Sequence, residues 1–462
     1  MRKILPISTL FCLLCLSTCQ RDTAERFLRV ANVWFTVADF HTQYPIHNFK
    51  HLPEEYKKRR IEAFIDRQLV VYKGIDENYP KRYEFKEKFR NFRNRLLINI
   101  YFDRTVLDSV ITKRKLLDSY ESLDFGKREM YTLDEYTDVL KERLIRKFSS
   151  EIQERYLAEV QRLKHSSGFQ SYPEHLEQLA QLYLDRYITL RNDSASYSSI
   201  DILKRLDFSK PLFQINGKDI YLKKFITMID NYPLALPNQF SSPQVLNEIV
   251  ETVAINTYTL ELSKKLRLHH DPEFKQRLRD EKFTLLHDLV LRDEVSHKIS
   301  INDDSLYQYY LDHTDSLYRS ETRYEVQEIY VYSRQQAKEI IQKLNQGADF
   351  QHLANLYTKR YLTKPRKGYL GLIRSNMYGS IGHYAAKTPA GEYYSEPIPS
   401  GNGFSVIKVL SVDESKPIPF EQIRGNVLED YRKSCYNRKK SELIRKVRDK
   451  YHYTVDYSKL IN

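Results

Sequence analysis

Apolar and polar positions along the chain change period several times. After Met1-Arg2-Lys3, an apolar run from Ile4 to Leu16 is too short to span a bilayer as a helix, and no second long apolar run follows Cys19. Further on, apolar residues recur at helical spacing. Leu140, Leu144, Phe148 and Ile152 form one stripe, and Val427, Tyr431, Leu443 and Val447 another. Thr132-Leu133-Asp134-Glu135 and Pro419-Phe420-Glu421-Gln422 stand before these stripes as helix starts, with acidic residues in the first turn. They predict long charged helices to about Leu163 and about Lys450. Between them the period shortens. Val326 to Tyr332 alternates as a strand, with Val326, Glu328 and Tyr330 on one face. Gln335 to Leu344 is an amphipathic helix closed by Gly347, and Phe350 to Tyr357 is a second helical stretch. Lys367 to Gly371 and Gly403 to Leu410 read as glycine-bounded strands, with a turn at Gly391-Glu392.

The helical pattern occurs twice. Phe64 to Tyr72, Tyr83-Glu84-Phe85-Lys86 and the run from Phe92 to Val110 match Val253 to Leu262, Pro272-Glu273-Phe274-Lys275 and Phe283 to Val295. Phe85 and Phe274 are 189 positions apart, and the pairs Leu116/Leu306 and Tyr120/Tyr310 are each 190 apart. An offset this long and this constant marks a duplicated domain, not a solenoid. A short link joins Tyr120 to Thr132 in the first copy, whereas about a hundred residues separate Tyr310 from Pro419 in the second. The second copy therefore carries an insert.

The expected fold class is α+β and multidomain: a mostly helical body with a duplicated helical domain, and one α/β module inserted in the second copy. The expected segments are a signal at 1–18, a first helical domain at 19–200, a second at 201–320, the module at 321–413, and a C-terminal helix and strand at 414–462 packing back on the second helical domain.

Composition sharpens this picture. Only 13 of the 462 residues are Gly, and 41% are apolar, which favours long helices with sizeable cores. With 36 Tyr and 22 Phe, much of the apolar surface is aromatic and able to hydrogen-bond. Of four cysteines, Cys12, Cys15 and Cys19 lie at the N-terminus and only Cys435 elsewhere, which excludes a disulfide framework and a multi-Cys zinc site. The charged start, short apolar run and small residues read as an export signal. Leu16-Ser17-Thr18-Cys19 resembles a bacterial lipobox, in which Cys19 would be lipidated and would anchor the chain to membrane. Net charge is +13, or +11 without residues 1–18. On an exported chain such a charge points to anionic lipid or acidic clients and away from nucleic acid. No phosphate loop, H-E-x-x-H or G-x-S-x-G motif occurs. His269-His270-Asp271 reads as a surface turn, not a metal site, because adjacent histidines rarely converge on one ion.

Gly347-Ala348-Asp349-Phe350, with Leu353-Ala354 and Tyr357-Thr358, and then Gly368-Tyr369-Leu370-Gly371, Met377, Gly391-Glu392, Pro397 and Gly403 to Val409, resembles in order the signature of parvulin-type (PpiC, rotamase) peptidyl-prolyl isomerases. The helical segments resemble the chaperone body of SurA/PrsA-like periplasmic foldases. The resemblance implies a proline pocket at Leu370, Met377 and Ile381. Ile381 stands where the family has Phe, and the Leu370–Met377 spacing is one residue short. It also places Glu328, Arg360 and Ser405 where the family has His, Cys or Asp, and His. That replacement implies weak or absent isomerase activity, and Glu328 and Arg360 are of types that could pair. No cofactor or metal is implied. The expected function is a lipid-anchored chaperone in the periplasm, at the outer membrane, binding unfolded or nascent envelope proteins through extended, aromatic-rich segments. An active isomerase and a structural lipoprotein subunit of an outer-membrane complex are the alternatives.

Overall fold

The computed structural model describes residues 26–191, 197–229 and 239–461; the expected signal and lipidation site at Cys19 lie outside these residues. The described chain is α+β and forms two compact units. A helical unit holds the residues up to Lys298 and those from Lys439, and a second unit spans Ile299–Arg438. Among the described residues, no helix is long and apolar enough to cross a membrane.

The helical unit is built twice over. Strands β1 (Arg26–Val30) and β2 (Val33–Thr36) form a hairpin turning at Ala31, with φ of 49°. Thr36 and Asp39 close a capping box that starts α1 (Val37–Gln43). Helix α2 (Glu54–Asp76) buries Ile61, Phe64, Ile65 and Leu69, and α3 (Tyr83–Phe102) follows after a left-handed turn at Asn78. The second copy repeats this order. Strands β4 (Pro211–Ile215) and β5 (Lys218–Tyr221) turn at Asn216-Gly217, followed by α8 (Leu222–Ile229), α9 (Pro243–Lys265) and α10 (Pro272–Glu294). Helices α2 and α9 are each 23 residues long and offset by 189, as are the left-handed residues Asn78 and Arg267.

The two copies do not fold as successive domains. In the first copy, α4 (Lys113–Glu121), α5 (Leu133–Lys147) and α6 (Ser149–Ser166) lead to β3 (Gln170–Ser171). Strand β3 pairs with β4 of the second copy, Gln170 against Gln214. Conversely β10 (Tyr453–Val455), at the end of the second copy, pairs with β1 of the first, Leu28 against Val455. Each three-stranded sheet thus takes its outer strand from the other copy. The ion pairs follow suit. Lys164 Nζ meets Glu251 Oε2 of α9 at 2.6 Å, and Arg448 Nη2 meets Glu62 Oε2 of α2 at 2.7 Å; Glu62 and Glu251 are again 189 apart. Helix α2 also crosses α10, where a Cβ on Gly74 would stand 3.1 Å from Val290 Cγ2. The expected separation at 19–200 and 201–320 therefore gives way to one interleaved unit, because each two-stranded hairpin leaves one edge unpaired, and that edge is filled by a strand of the other copy. A further correction concerns the helix expected from Thr132 to Leu163. It breaks at Phe148, ahead of Ser149-Ser150, residues that favour helix starts over interiors. Helix α7 (Pro173–Arg191) completes the core around β4.

A partly buried carboxyl on α10, beside Asp39, gives a pH-dependent prediction. Burial and the nearby Asp39 push Asp280 up to about 6. Its folded pKa lies above its unfolded one, so the folded state binds the extra proton between the two, and stability falls as pH rises through that window. Asp280→Asn should therefore stabilise the helical unit at pH 7.5 by about 1–2 kcal/mol after screening by solvent. In urea melts the gain should vanish below pH 4.

The second unit begins at Ile299, not at residue 321. Helix α11 (Asp303–Leu317) packs Leu306 and Tyr310 on Val427 of α15 (Phe420–Lys450). Tyr310 donates to the Ile418 carbonyl at 2.9 Å, and Tyr318 to Asp430 at 3.1 Å. Helix α15 is shared, since its residues to Arg438 belong here and the rest to the helical unit. The expected 414–462 segment is accordingly divided. Between α11 and α15 come β6 (Arg323–Val331), α12 (Arg334–Asn345), α13 (Phe350–Tyr357), β7 (Tyr369–Ile373), α14 (Ser380–Ala385), β8 (Ile398–Ser400) and β9 (Gly403–Asp413). They form one antiparallel sheet of order β7-β6-β9-β8. Ile329, Val331 and Val406 face α12 and α13, while Val326, Ile407 and Val409 face α14.

Candidate functional site

Strand alternation puts Glu328 and Tyr330 of β6, and Ser405 of β9, on the α14 face of the sheet. Glu328 is 0% exposed. A carboxylate so placed is costly unless it is paired and hydrogen-bonded. Arg360 supplies a bidentate pair, Nε to Oε2 at 2.6 Å and Nη2 to Oε1 at 2.8 Å. Ser405 Oγ donates to Oε1 at 2.5 Å, and Arg360 Nη2 reaches Ser400 Oγ at 3.4 Å. The guanidinium lies 4.7 Å from the Tyr330 ring centroid, a cation–π distance. The hydrogen bond to Glu328 is the largest influence raising the Arg360 pKa, so this proton stays on the guanidinium.

The backbone holds these groups in place. Thr358 Oγ1 accepts from the Tyr330 N–H at 3.1 Å, and the Lys359 N–H donates to the Tyr330 carbonyl at 2.8 Å, so Arg360 is tied to β6 at the end of α13. Opposite, the Glu328 N–H donates to the Gly368 carbonyl at 2.8 Å. Gly368 has φ of 79°, and a Cβ there would lie 2.3 Å from the Glu328 carbonyl oxygen, so only glycine lets β7 approach this closely.

The expected pair of Glu328 with Arg360 is present, and Ser405 joins it. Tyr330 and Ser400 complete the network and were not anticipated. The face shared by Val326, Glu328 and Tyr330 was the available signal for Tyr330, while the short edge strand carrying Ser400 had none. Of the three expected pocket residues, Leu370 and Ile381 share one apolar cluster and Met377 lies toward solvent. Met377 is 38% exposed, Leu370 is half-buried against the α14 core, and Ile381 is 1% exposed inside it. Ile381 is enclosed in the core that α14 forms with Val326 and Val409, the cluster against which Leu370 also packs. Beside Met377, half-exposed Tyr378 holds φ of 52°, a rare conformation for a bulky side chain. Asp271, of the His269-His270-Asp271 turn, is spent on capping α10 and on Arg104 at 3.0 Å. Among the described residues, no cluster of His, Cys, Asp and Glu could hold a metal.

The network offers little proton chemistry. Its carboxylate accepts three hydrogen bonds, its guanidinium stays charged, and its hydroxyl is committed to the carboxylate. What it presents outward is the remaining Arg360 nitrogen, Nη1, a donor suited to a peptide carbonyl.

The helical unit contributes cavities. One of about 690 Å³ is lined by Phe92, Phe102 and Tyr156 together with Asn99, Asn256 and Arg277. A neighbour of about 350 Å³ shares Phe102, Tyr156 and Asn256 with it and adds Val160 and Ile255. A third, of about 670 Å³, is lined by Trp34, Phe89, Phe274, Leu278 and Phe283. Aromatic walls with a few amides and cations suit apolar side chains of a bound polypeptide.

Residues 301–425 match the model of the PpiC-type peptidyl-prolyl isomerase domain. The chain is 23% identical over 249 residues to the periplasmic chaperone PpiD of Haemophilus ducreyi, covering 54% of this chain and 37% of that one. It is 24% identical over 205 residues to the foldase protein PrsA 2 of Bacillus cereus, covering 43% and 70%. The match thus spans little more than a third of the first relative's length. Among solved structures, a SurA-like chaperone of Campylobacter jejuni aligns with a TM-score of 0.33 and 20% identity, covering 52% of this chain and 94% of that one. PrsA of Bacillus anthracis aligns with a TM-score of 0.21 and 21% identity, covering 40% and 84%. Residues 301–425 therefore form a PpiC-type, or parvulin-type, peptidyl-prolyl isomerase domain by their family match, and the chain is similar over part of its length to the periplasmic chaperone PpiD and the foldase PrsA.

Proposed function

We propose that this protein is a periplasmic chaperone that holds unfolded envelope proteins, lipid-anchored through Cys19 at the outer membrane, and that its PpiC-type domain binds peptide while isomerising prolyl bonds weakly or not at all. The observation that carries the reading is the closed Glu328–Arg360–Ser405 network. Isomerisation needs a site that favours the twisted amide over the planar one, against a barrier of about 18–20 kcal/mol. A carboxylate and guanidinium locked to each other have no freedom to follow that change. They leave a fixed donor at Arg360, beside Met377 and Tyr378, that can hold an extended backbone. Resemblance to a relative named a periplasmic chaperone supports the location, and the aromatic cavities of the helical unit support capture of unstructured chain.

The test pairs two assays on the purified full chain. Aggregation of an unfolded outer-membrane barrel protein should be suppressed, and Tyr156→Ala, on a half-exposed wall residue, should weaken that protection severalfold without changing thermal stability. Proline-peptide exchange should stay near its spontaneous time of about tens to hundreds of seconds. Exchange much faster than this, abolished by Met377→Ala, would establish an active isomerase instead. Lack of any protection, with one stoichiometric partner recovered from envelopes, would establish a structural subunit.

A further inference from the structure

The turn between α13 and β7 is unlike the rest of the surface. From Lys359 to Arg374 there are six cations and no Asp or Glu. Arg360 and Arg374 are paired, with Glu328 and Glu321. Lys359, Lys364, Arg366 and Lys367 are exposed and form no ion pair with any described residue. Between them stand Tyr361, 87% exposed, and Leu362, 77% exposed; Tyr361 is the most exposed large hydrophobic residue among those described. The turn is well tied. Buried Thr363 donates its N–H to the Arg360 carbonyl at 3.2 Å and accepts from the Gly368 N–H at 2.9 Å, and the Lys364 N–H bonds the Arg360 carbonyl at 3.0 Å. This apolar pair is displayed on a fixed, protruding turn.

We propose that this turn is a membrane-docking element that seats on an anionic lipid bilayer. A tyrosine and a leucine at a convex tip, beside three unpaired lysines and one unpaired arginine, match the interface zone. There the apolar tip enters the acyl boundary, the tyrosine hydroxyl stays among headgroups, and long cations reach lipid phosphates. The element acts independently of Cys19, and it would hold the PpiC-type domain against the leaflet.

The test places an indole at the tip. The chain has a single tryptophan, Trp34, so Trp34→Phe with Tyr361→Trp gives one probe, and Trp34→Phe with Leu362→Trp gives a second should the first fold poorly. Vesicles of phosphatidylglycerol and brominated phosphatidylcholine should blue-shift and quench this fluorescence. Vesicles of brominated phosphatidylcholine alone should not, and high salt should reverse the effect. Lys364→Gln and Arg366→Gln should each weaken partitioning about fivefold. Because the readout sits on the turn, binding through the N-terminal apolar run cannot mimic it. An indole that stays solvent-exposed with anionic vesicles overturns the proposal. So does a saturable response to polyglutamate in place of vesicles, which would assign the turn to an acidic protein, or quenching indifferent to salt and to both glutamine substitutions.

Discussion

Arg360→Ala should destabilise the PpiC-type domain by about 3–5 kcal/mol, since it leaves Glu328 buried with only the Ser405 hydroxyl as side-chain partner. Glu328 is wholly inaccessible to solvent in the intact network. Removing both charges together, as Glu328→Leu with Arg360→Leu, should cost far less, because an apolar pair carries no desolvation penalty. Hydrogen exchange of the β6 and β9 amides reads the two variants without interference from the helical unit. A loss below about 1 kcal/mol in the single variant would mean that the pair behaves like a surface salt bridge and does not close the site.

Truncation after Lys450 should be comparably damaging, in a different place. It removes Tyr451 and Leu460, both buried, and the β10 strand. Burial of two such side chains is worth about 3–6 kcal/mol before the strand hydrogen bonds are counted. Protection should collapse at β1 and β2, within residues 26–36, although these are more than 400 positions away in sequence. Residues 211–221 of the second copy should be much less affected, because their outer strand is β3. If protection fell instead at 211–221, each copy would own its strand and the interleaving would be wrong.

Much of this was legible along the chain. The duplication at an offset of 189 is visible in Phe85 and Phe274, and the left-handed residues Asn78 and Arg267 keep it in three dimensions. Glycines and alternation marked the module, and the face shared by Glu328 and Tyr330 followed from strand geometry. The hairpins went unread, although Asn216-Gly217 between Leu212-Phe213 and Ile220 is a strong turn signal. The short strands β3, β8 and β10, of two or three residues, have too little alternation to announce themselves. Ile381 is an aliphatic residue at a position that the resemblance assigns to the pocket, and nothing in its type says whether a helix turns it outward or inward.

Periodicity and residue chemistry, by themselves, determined the elements, the repeat, the inserted module and the residue types at its centre, because helix and strand periods are local properties that a few neighbouring side chains encode. Only the tertiary structure decided which copy lends its last strand to which hairpin, and that the carboxylate at 328 is sealed by the guanidinium at 360 and the hydroxyl at 405. Those outcomes depend on apolar faces and a buried charge seeking partners far away in the chain, and such partners are chosen by packing and desolvation, which no local pattern records.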